Sequence, residues 1–333
     1  MSSSVANCAF LPYKERLMNV STSSRHPISP TRNQIVNRQS FTMTPTIYGM
    51  FESMTGTWQY IVVDTLTMTA AIVDPVLDYN PNSQELFDQA ANSLIIFIKG
   101  LGLKVDRILE THVPEDHISA ASYLQRWFAC DQGYIPPIYL GCHPREPGTP
   151  STQQDQFPRE EYRGSVWRTA TDEEEFNVGE LKGTVIHLPG HSPHHVGYKI
   201  GDNVLCGDSI LHLDIGTARC DLPGGDSQQQ FESCQRLLGL PDHVRIWPGH
   251  DNLTGGRKPI AWMTVRDHKE LNKHLRYGIT KEEFASLRNQ ADKMSTEPTI
   301  LHQTLHVGLW PRKPPVPPTT GLHRPFLSLD IGV

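Results

Sequence analysis

Short apolar runs and amphipathic segments alternate along residues 47–140. Runs rich in β-branched and aromatic residues predict strands at residues 47–51, 58–63, 68–73, 105–109 and 137–140. Apolar residues at helical spacing predict helices at residues 83–101 and 118–128, the first capped by Ser83 and ended by Gly102. Because strands alternate with helices, the pattern predicts layered α/β packing.

The alternation resumes after a polar, proline-rich stretch at residues 143–157, which we expect to form a loop. The later pattern predicts strands at residues 184–187, 197–200 and 203–206, and helices at residues 227–238, 260–275 and 281–293. The second half of the chain is therefore expected to repeat the mixed character of the first.

The two ends differ from the rest of the chain in composition. Residues 1–45 are rich in Ser, Thr and Asn, lack apolar periodicity and carry five basic residues against the single acid Glu15. This bias predicts a disordered extension, and it is typical both of a mitochondrial transit peptide and of an untargeted tail. We therefore expect a mitochondrial or cytoplasmic protein. The proline-rich residues 313–333 predict an extended surface tail.

Charge and cysteine content narrow the class of protein. The 333 residues include 30 basic and 36 acidic ones, and the resulting net charge of -6 argues against a nucleic-acid partner. No apolar run approaches the ~20 residues of a membrane span, so no membrane association is expected. The six cysteines form no C-x-x-C pair, which favours a reducing compartment. These features are typical of a soluble enzyme.

Possible metal ligands cluster where predicted strands end. His112, Asp116 and His117 follow the strand at residues 105–109 within six positions. Imidazole and carboxylate groups can converge on one ion when turns present them at a shared sheet edge. The alternative is that they cap or hydrogen-bond without a metal. Three later apolar strands also end in glycine-containing turns, which present His191, Asp208 and His250.

In this order and at these intervals, the residues resemble those of the metallo-β-lactamase superfamily, whose motif is H-x-H-x-D-H. Further motifs resemble its glyoxalase II-like branch and, within it, the persulfide dioxygenases. They are Ile-Val-Asp-Pro-Val at residues 72–76, Pro-Gly-His-Ser-Pro-His-His-Val at residues 189–196, and the segments 216–226 and 247–251. The resemblance covers residues 46–312. It implies a single domain with a four-layer αβ/βα sandwich and a metal at one edge, between two sheets.

The resemblance to persulfide dioxygenases implies one Fe(II) per chain, held by two histidines and one aspartate that leave positions open for O2 and sulfur. The ligands carried over are His112, His191 and Asp208. A second set matches the superfamily's second metal site, with Asp208 bridging; in the dioxygenase branch its members surround the iron without binding it. That set is Asp116, His117 and His250, of which Asp116 and His117 are also catalytic candidates. One or two Zn(II) ions are the alternative cofactors.

One residue departs from the motif: Pro114 stands where the superfamily has its second histidine. Proline offers neither a side-chain donor nor a backbone N–H, so it cannot replace that ligand. The change removes a ligand of the first zinc in a two-zinc hydrolase. The iron triad of the dioxygenases does not include this position, although the histidine is usual there too.

Substrate contacts are also implied by the resemblance. Arg219 matches the position proposed to hold a glutathione carboxylate, for which a guanidinium is suited. Its neighbours Ala218 and Leu222 replace Gly and Phe of the family motif. We expect Asp221 to be structural, and Tyr198 either to reach the pocket or to pack in a sheet. Asp74 and one of His194 and His195 are expected to support the metal ligands.

The first functional hypothesis is an iron dioxygenase that oxidises glutathione persulfide, or a related thiol persulfide, to sulfite. The second is a zinc-dependent hydrolase or thioesterase that acts on a thioester, lactone or amide, possibly in specialised metabolism. The third is a metal-poor binding protein that kept the fold after Pro114 arose. A homodimer is expected from the resemblance alone.

Overall fold

The computed structural model describes residues 44–80, 83, 85–141, 167–253 and 255–295. The predicted terminal tail at residues 313–333, nearly all of residues 1–45 and the predicted loop at residues 143–157 lie outside the described residues. Among the described helices, none is long and apolar enough to cross a membrane.

The described part of the chain contains both strands and helices in the predicted alternation. The strands in chain order are β1 (Thr46–Glu52), β2 (Thr57–Asp64), β3 (Thr69–Val73), β4 (Val76–Asn80), β5 (Glu85–Phe87), β6 (Lys104–Glu110), β7 (Ile118–Ser119), β8 (Ile138–Gly141), β9 (Trp167–Ala170), β10 (Glu175–Val178), β11 (Leu181–His187), β12 (Val196–Ile200), β13 (Asn203–Gly207), β14 (Arg245–Pro248) and β15 (Met263–Thr264). The helices are α1 (Gln89–Gly100), α2 (Ala121–Gln132), α3 (Ser227–Leu238), α4 (Val265–Leu271) and α5 (Lys281–Asp292).

Two six-stranded sheets dominate the architecture. The first has the order β1-β2-β3-β6-β8-β9 and the second the order β10-β11-β12-β13-β14-β15, while β5-β4-β7 form a small third sheet. In the first sheet β3, β6, β8 and β9 run parallel, and in the second β13 and β14 run parallel. Parallel neighbours end at the same edge of their sheet, so the turns that follow them lie side by side.

Three apolar clusters separate four layers. One packs α1 and α2 on the first sheet through residues such as Leu94, Phe128 and Ile108. A second fills the space between the two sheets, and a third packs α3 and α5 on the second sheet through Leu237 and Phe284. All eight residues of β2 are buried, as expected of a strand covered on both faces. The predicted αβ/βα sandwich is confirmed.

Two predicted helices begin later than the sequence pattern indicated. The helix predicted from Ser83 begins at Gln89, because residues 85–87 pair with β4 as β5. The helix predicted from Ile118 begins at Ala121, because residues 118–119 pair with β4 as β7. In both cases pairing with β4 overrides the local helical pattern.

The helix predicted at residues 260–275 is shorter at both ends. Thr264 and Asp267 form a reciprocal capping box, which starts α4 at Val265. Asn272 has extended backbone angles and ends it; its side-chain Nδ2 instead donates to the carbonyl of Gly216 at 3.1 Å. The prediction missed a cap that lies within the apolar repeat.

Candidate metal centre

The first candidate ligand group lies where β6, β11 and β13 end. His112, His191 and Asp208 are all buried, and their ligand atoms lie within 4.8 Å of one another. Asp208 Oδ2 is 3.9 Å from His112 Nε2 and 3.7 Å from His191 Nε2. Two ligands about 2.1 Å from one ion in a tetrahedral arrangement lie about 3.4 Å apart, so small adjustments would close this group around an ion.

The ring of His112 is fixed by a chain of hydrogen bonds that starts at Asp74. The Asp74 carboxylate accepts from the backbone N–H of Thr111 at 2.7 Å and from its hydroxyl at 3.0 Å. That hydroxyl lies 2.9 Å from His112 Nδ1. Because its proton goes to Asp74, the Thr111 oxygen accepts the proton of Nδ1, and Nε2 of His112 keeps its lone pair. The expected supporting role of Asp74 agrees with this arrangement.

The ring of His191 is fixed in the same way by a backbone carbonyl. Its Nδ1 lies 2.7 Å from the carbonyl oxygen of Arg219, which can only accept, so Nε2 again keeps its lone pair. The backbone N–H of His191 donates to the side chain of Gln230 at 2.8 Å, and Gln230 donates to the carbonyl of Ser209 at 2.7 Å. Helix α3 thereby joins the turns that carry His191 and Asp208.

Asp208 is positioned by His195 and by two glycines. The backbone N–H of Asp208 donates to Nε2 of His195 at 3.0 Å, and the His195 ring stacks on that of His112 with centroids 4.9 Å apart. Gly207 has a φ of +50°, which suits the tight turn after β13. A Cβ at Gly249 would lie 2.6 Å from Oδ1 of Asp208, so the carboxylate occupies space that only glycine leaves free.

The second candidate group is formed by Asp116, His117 and His250, again with ligand atoms within 4.8 Å. His250 Nδ1 lies 2.7 Å from Oδ1 of Asp208, and its Nε2 lies 3.3 Å from Oδ2 of Asp116. The histidines are buried, whereas the Asp116 side chain is 45% exposed. Asp208 therefore faces both groups, with one carboxylate oxygen toward each.

Burial and neighbouring charges favour the protonation states that metal binding requires. Burial lowers the pKa of His112 to about 3, so its imidazole is neutral at physiological pH. Burial alone would raise the pKa of Asp208, but His250, His112 and His191 outweigh it and hold that pKa below its usual value. Two imidazoles and one carboxylate are a donor set suited to Fe(II) or Zn(II). The residues of the first group therefore fit a divalent metal ion.

The sequence profile of the metallo-beta-lactamase superfamily matches residues 55–250, which include both ligand groups. The chain belongs to this superfamily. A beta-lactamase hydrolase-like protein of Xylella fastidiosa is 36% identical over 279 residues, 84% of this chain and 63% of the relative, so the chain spans less than two thirds of that protein. Glyoxylase B2 of Dictyostelium discoideum is 32% identical over 271 residues, 79% of this chain and 89% of the relative.

A solved structure agrees with the fold. The crystal structure of ETHE1 from Myxococcus xanthus matches with a TM-score of 0.60 and 24% identity, covering 79% of this chain and 98% of that one. The superfamily assignment made from the motifs is confirmed, and these relatives are consistent with the glyoxalase II-like branch.

The departure from the superfamily motif at Pro114 has a visible structural setting. Pro114 lines a narrow space too tight for a water molecule, together with His112, His117 and His250. Thr57, which the sequence did not single out, lines the same space from β2. Its hydroxyl lies 3.0 Å from His250 Nε2. No local signal marks Thr57, because its role depends on β2 meeting the β14 turn.

Glu115 is a second residue that sequence reasoning missed. Its side chain is only 12% exposed, and Oε2 lies 3.8 Å from Nε2 of His191. Burial raises the pKa of Glu115 to about 7; His191 and Arg219 oppose this shift, and the charges of Asp208 and Asp116 add to it. Glu115 occupies the variable position before Asp116 in the motif. The motif does not specify a residue there, so the sequence offers no reason to expect a buried side chain.

The predicted substrate residues differ in their placement. Arg219 donates from Nε and Nη2 to the carboxylate of Asp221, at 2.7 and 2.8 Å, and its side chain is 20% exposed beside the first group. Tyr198 is instead fully buried between the sheets, where its hydroxyl donates to the carbonyl of Glu110 at 2.8 Å. Its position on an inner strand face makes it part of the core and corrects the expectation that it lines a pocket.

Proposed function

We propose that the chain is a mononuclear non-haem iron dioxygenase that oxidises a thiol persulfide, with glutathione persulfide as the first candidate substrate. The observation that carries the proposal is the state of the first group. His112 and His191 both present an Nε2 with a free lone pair toward Oδ2 of Asp208, because their Nδ1 atoms are bonded elsewhere. This is a two-histidine, one-carboxylate set of the kind used by non-haem Fe(II) oxygenases.

The arrangement of the second group favours a centre with one metal ion rather than two. His250 bonds Asp208 through Nδ1 and lies against Asp116 through Nε2, so an imidazole already links the two carboxylates. Pro114 also removes a histidine that a hydrolytic first site uses and the iron triad does not. Both features favour a single ion at His112, His191 and Asp208.

The residues around the first group have defined roles in the proposed reaction. A bound Fe(II) would supply the oxidation chemistry and the open positions for O2 and the terminal sulfur. Arg219 would hold a substrate carboxylate beside the group, which would direct the persulfide sulfur toward it. Asp74 and Thr111 would keep Nε2 of His112 unprotonated. A persulfide, O2 and water would together yield the thiol and sulfite.

A zinc-dependent hydrolase is the second candidate, and the second group favours it. Asp116, His117 and His250 retain ligand atoms within 4.8 Å of one another, and Asp208 could bridge two ions. Zinc-bound water has a pKa near ~7 and attacks thioesters and lactones readily. The name of the beta-lactamase hydrolase-like relative supports this candidate, as the motifs of residues 72–76 and 216–226 support the first.

The two candidates are separated by assaying one preparation for both reactions. Protein purified anaerobically and loaded with Fe(II) should consume O2 and form sulfite with glutathione persulfide. His112→Ala should abolish both, whereas Glu175→Gln, at an exposed position on β10, should leave both unchanged. Hydrolysis of a thioester or lactone panel by the zinc-loaded protein, without O2 consumption by the iron-loaded one, would favour the hydrolase.

A further inference from the structure

We propose that a buried ion pair of α5 positions the metal ligand His191. The pair, Arg288 and Asp292, acts through the peptide group between residues 219 and 220. The inference rests on the metal site of the proposed function, and not on which reaction occurs there. Both members of the pair lie beyond residue 250, where the match to the superfamily profile ends. This support of the centre therefore comes from outside the matched part of the chain.

A single peptide group connects the metal ligand with α5. Its carbonyl oxygen, on Arg219, lies 2.7 Å from Nδ1 of His191 and accepts the proton of that nitrogen. Its N–H, on Cys220, donates to Oδ2 of Asp292 at 3.1 Å. A trans peptide group is planar and its N–H and C=O point in opposite directions, so holding one end orients the other. Asp292 and His191 are therefore joined by two hydrogen bonds and one rigid plane.

The Asp292 carboxylate is itself held in place by Arg288. Both residues are buried, and their separation by four positions places them on the same face of α5. Oδ1 of Asp292 accepts from Nε of Arg288 at 3.0 Å and lies 2.7 Å from Nη2, while Oδ2 faces Cys220. Nη1 of Arg288 donates to the carbonyl of Thr217 at 2.9 Å. The pair thus contacts the backbone on both sides of residues 218–219.

The polar groups of the pair supply what packing alone could not. Burying an ion pair costs desolvation energy, and two apolar side chains of similar size often stabilise a protein equally well. Such side chains could neither accept from the Cys220 N–H nor donate to the Thr217 carbonyl. An ionised carboxylate also makes a stronger hydrogen bond than a neutral acceptor, and it polarises the peptide group whose carbonyl holds His191. The pair therefore contributes to the orientation of the metal ligand as well as to stability.

The test is cobalt binding by the metal-free, full-length protein. The visible absorption of bound Co(II) reports the geometry of its ligands, and competition with a chromophoric chelator gives the affinity. Asp292→Ala removes the acceptor of the Cys220 N–H. We expect cobalt affinity to fall at least about fivefold and the spectrum to change, because groups that orient a metal ligand typically contribute about 10- to 100-fold. Lys281→Gln breaks a surface ion pair between α5 and Glu232 and should leave both unchanged.

A double variant separates positioning from stability. Arg288→Met combined with Asp292→Leu keeps similar volumes and leaves no unpaired buried charge. Its thermal unfolding in the metal-free state should therefore recover most of the stability lost in Asp292→Ala. Its cobalt affinity and spectrum should remain those of Asp292→Ala, because neither new side chain can accept from the Cys220 N–H.

Two results would overturn the proposal. One is wild-type cobalt affinity and spectrum in folded Asp292→Ala. The other is a double variant in which cobalt affinity recovers together with stability, since the pair would then act on the fold alone. A dioxygenase assay that fails while cobalt binding depends on Asp292 would overturn the proposed reaction and leave the positioning role in place.

Discussion

Oδ1 of Asp208 accepts a hydrogen bond of 2.7 Å from Nδ1 of His250, which lies in the turn after β14. The other oxygen of the same carboxylate faces the two histidines of the first group at 3.7 and 3.9 Å. One side chain therefore joins the turns of β6, β11, β13 and β14. The geometry of the candidate centre therefore depends on this carboxylate.

Asp208→Asn should remove metal binding and activity while the chain stays folded. The amide has nearly the shape of the carboxylate but no charge, so the first group loses its only anionic ligand among the three and the bond to His250 weakens. We expect affinity for a divalent ion to fall by at least about 100-fold, measured by competition with a chelator. Asp172→Asn, at an ion pair with Arg236 on the surface, serves as the control. Retention of full affinity in Asp208→Asn would contradict the assigned role.

Gly249→Ala tests the close approach of the β14 turn to Asp208. The added Cβ would lie 2.6 Å from Oδ1 of Asp208, so the carboxylate must move. We expect about tenfold or greater loss of metal affinity, with a smaller effect on the free energy of unfolding. Gly100→Ala, whose Cβ would meet no atom within 4 Å, should leave affinity unchanged. Equal metal affinities in Gly249→Ala and Gly100→Ala would contradict the close packing of Gly249 against Asp208.

Thr111→Val tests the fixed tautomer of His112. Valine keeps the shape of threonine but cannot accept from Nδ1 of His112 or donate to Asp74. The imidazole would then lose the hydrogen bond at Nδ1 that keeps Nε2 unprotonated. Metal affinity should fall by about 10- to 100-fold. Thr69→Val, at a partly exposed threonine on β3, is the matched control. If both variants bind metal like the wild type, the hydrogen-bond chain has no influence on the ligand.

The dependence of stability on pH should include a contribution from His274, away from both ligand groups. Burial lowers its pKa to about 4, and the nearby charges of Arg288 and Lys273 act in the same direction. Because the folded-state pKa is below the unfolded value near ~6.5, the contribution of His274 is fully present above that pH and is lost as pH falls toward 4.

His274→Gln isolates this contribution. The stability difference between wild type and variant, measured by urea unfolding of the metal-free proteins, should shrink on acidification from pH 6.5 to 4, by up to about 1.4 kcal/mol per pH unit. The His274 ring accepts from the backbone N–H of Thr217, and glutamine would be a different acceptor there. A constant difference between the free energies of unfolding of the two proteins is therefore expected at high pH. A difference that does not change across this range would contradict the assigned pKa.

The layered fold and the main ligands could be predicted because their signals are local. Each of His112, His191, Asp208 and His250 follows an apolar strand, and the parallel neighbours β13 and β14 bring the last two together. The short strands at residues 85–87 and 118–119 could not be predicted, since pairing with β4 defines them and their own residues do not.

The supporting residues were harder to predict than the ligands. Nothing in the sequence of α3 distinguishes Gln230 from its neighbours. In the structure its side chain joins the turns of His191 and Asp208. Thr57 and Glu115 likewise depend on contacts between elements that only the fold brings together. His195 was expected to be one of two candidates, and the stacking on His112 distinguishes it from His194.

The most direct test of the proposed function is the metal content of protein purified anaerobically without added metal, measured by elemental analysis beside O2 consumption on glutathione persulfide. About one iron per chain and substrate-dependent O2 consumption are expected. Both should be lost in His112→Ala, and the iron should be retained in His250→Ala. Zinc at one or two ions per chain, with no O2 consumption after iron loading, would contradict it and favour hydrolysis at the paired ligand groups.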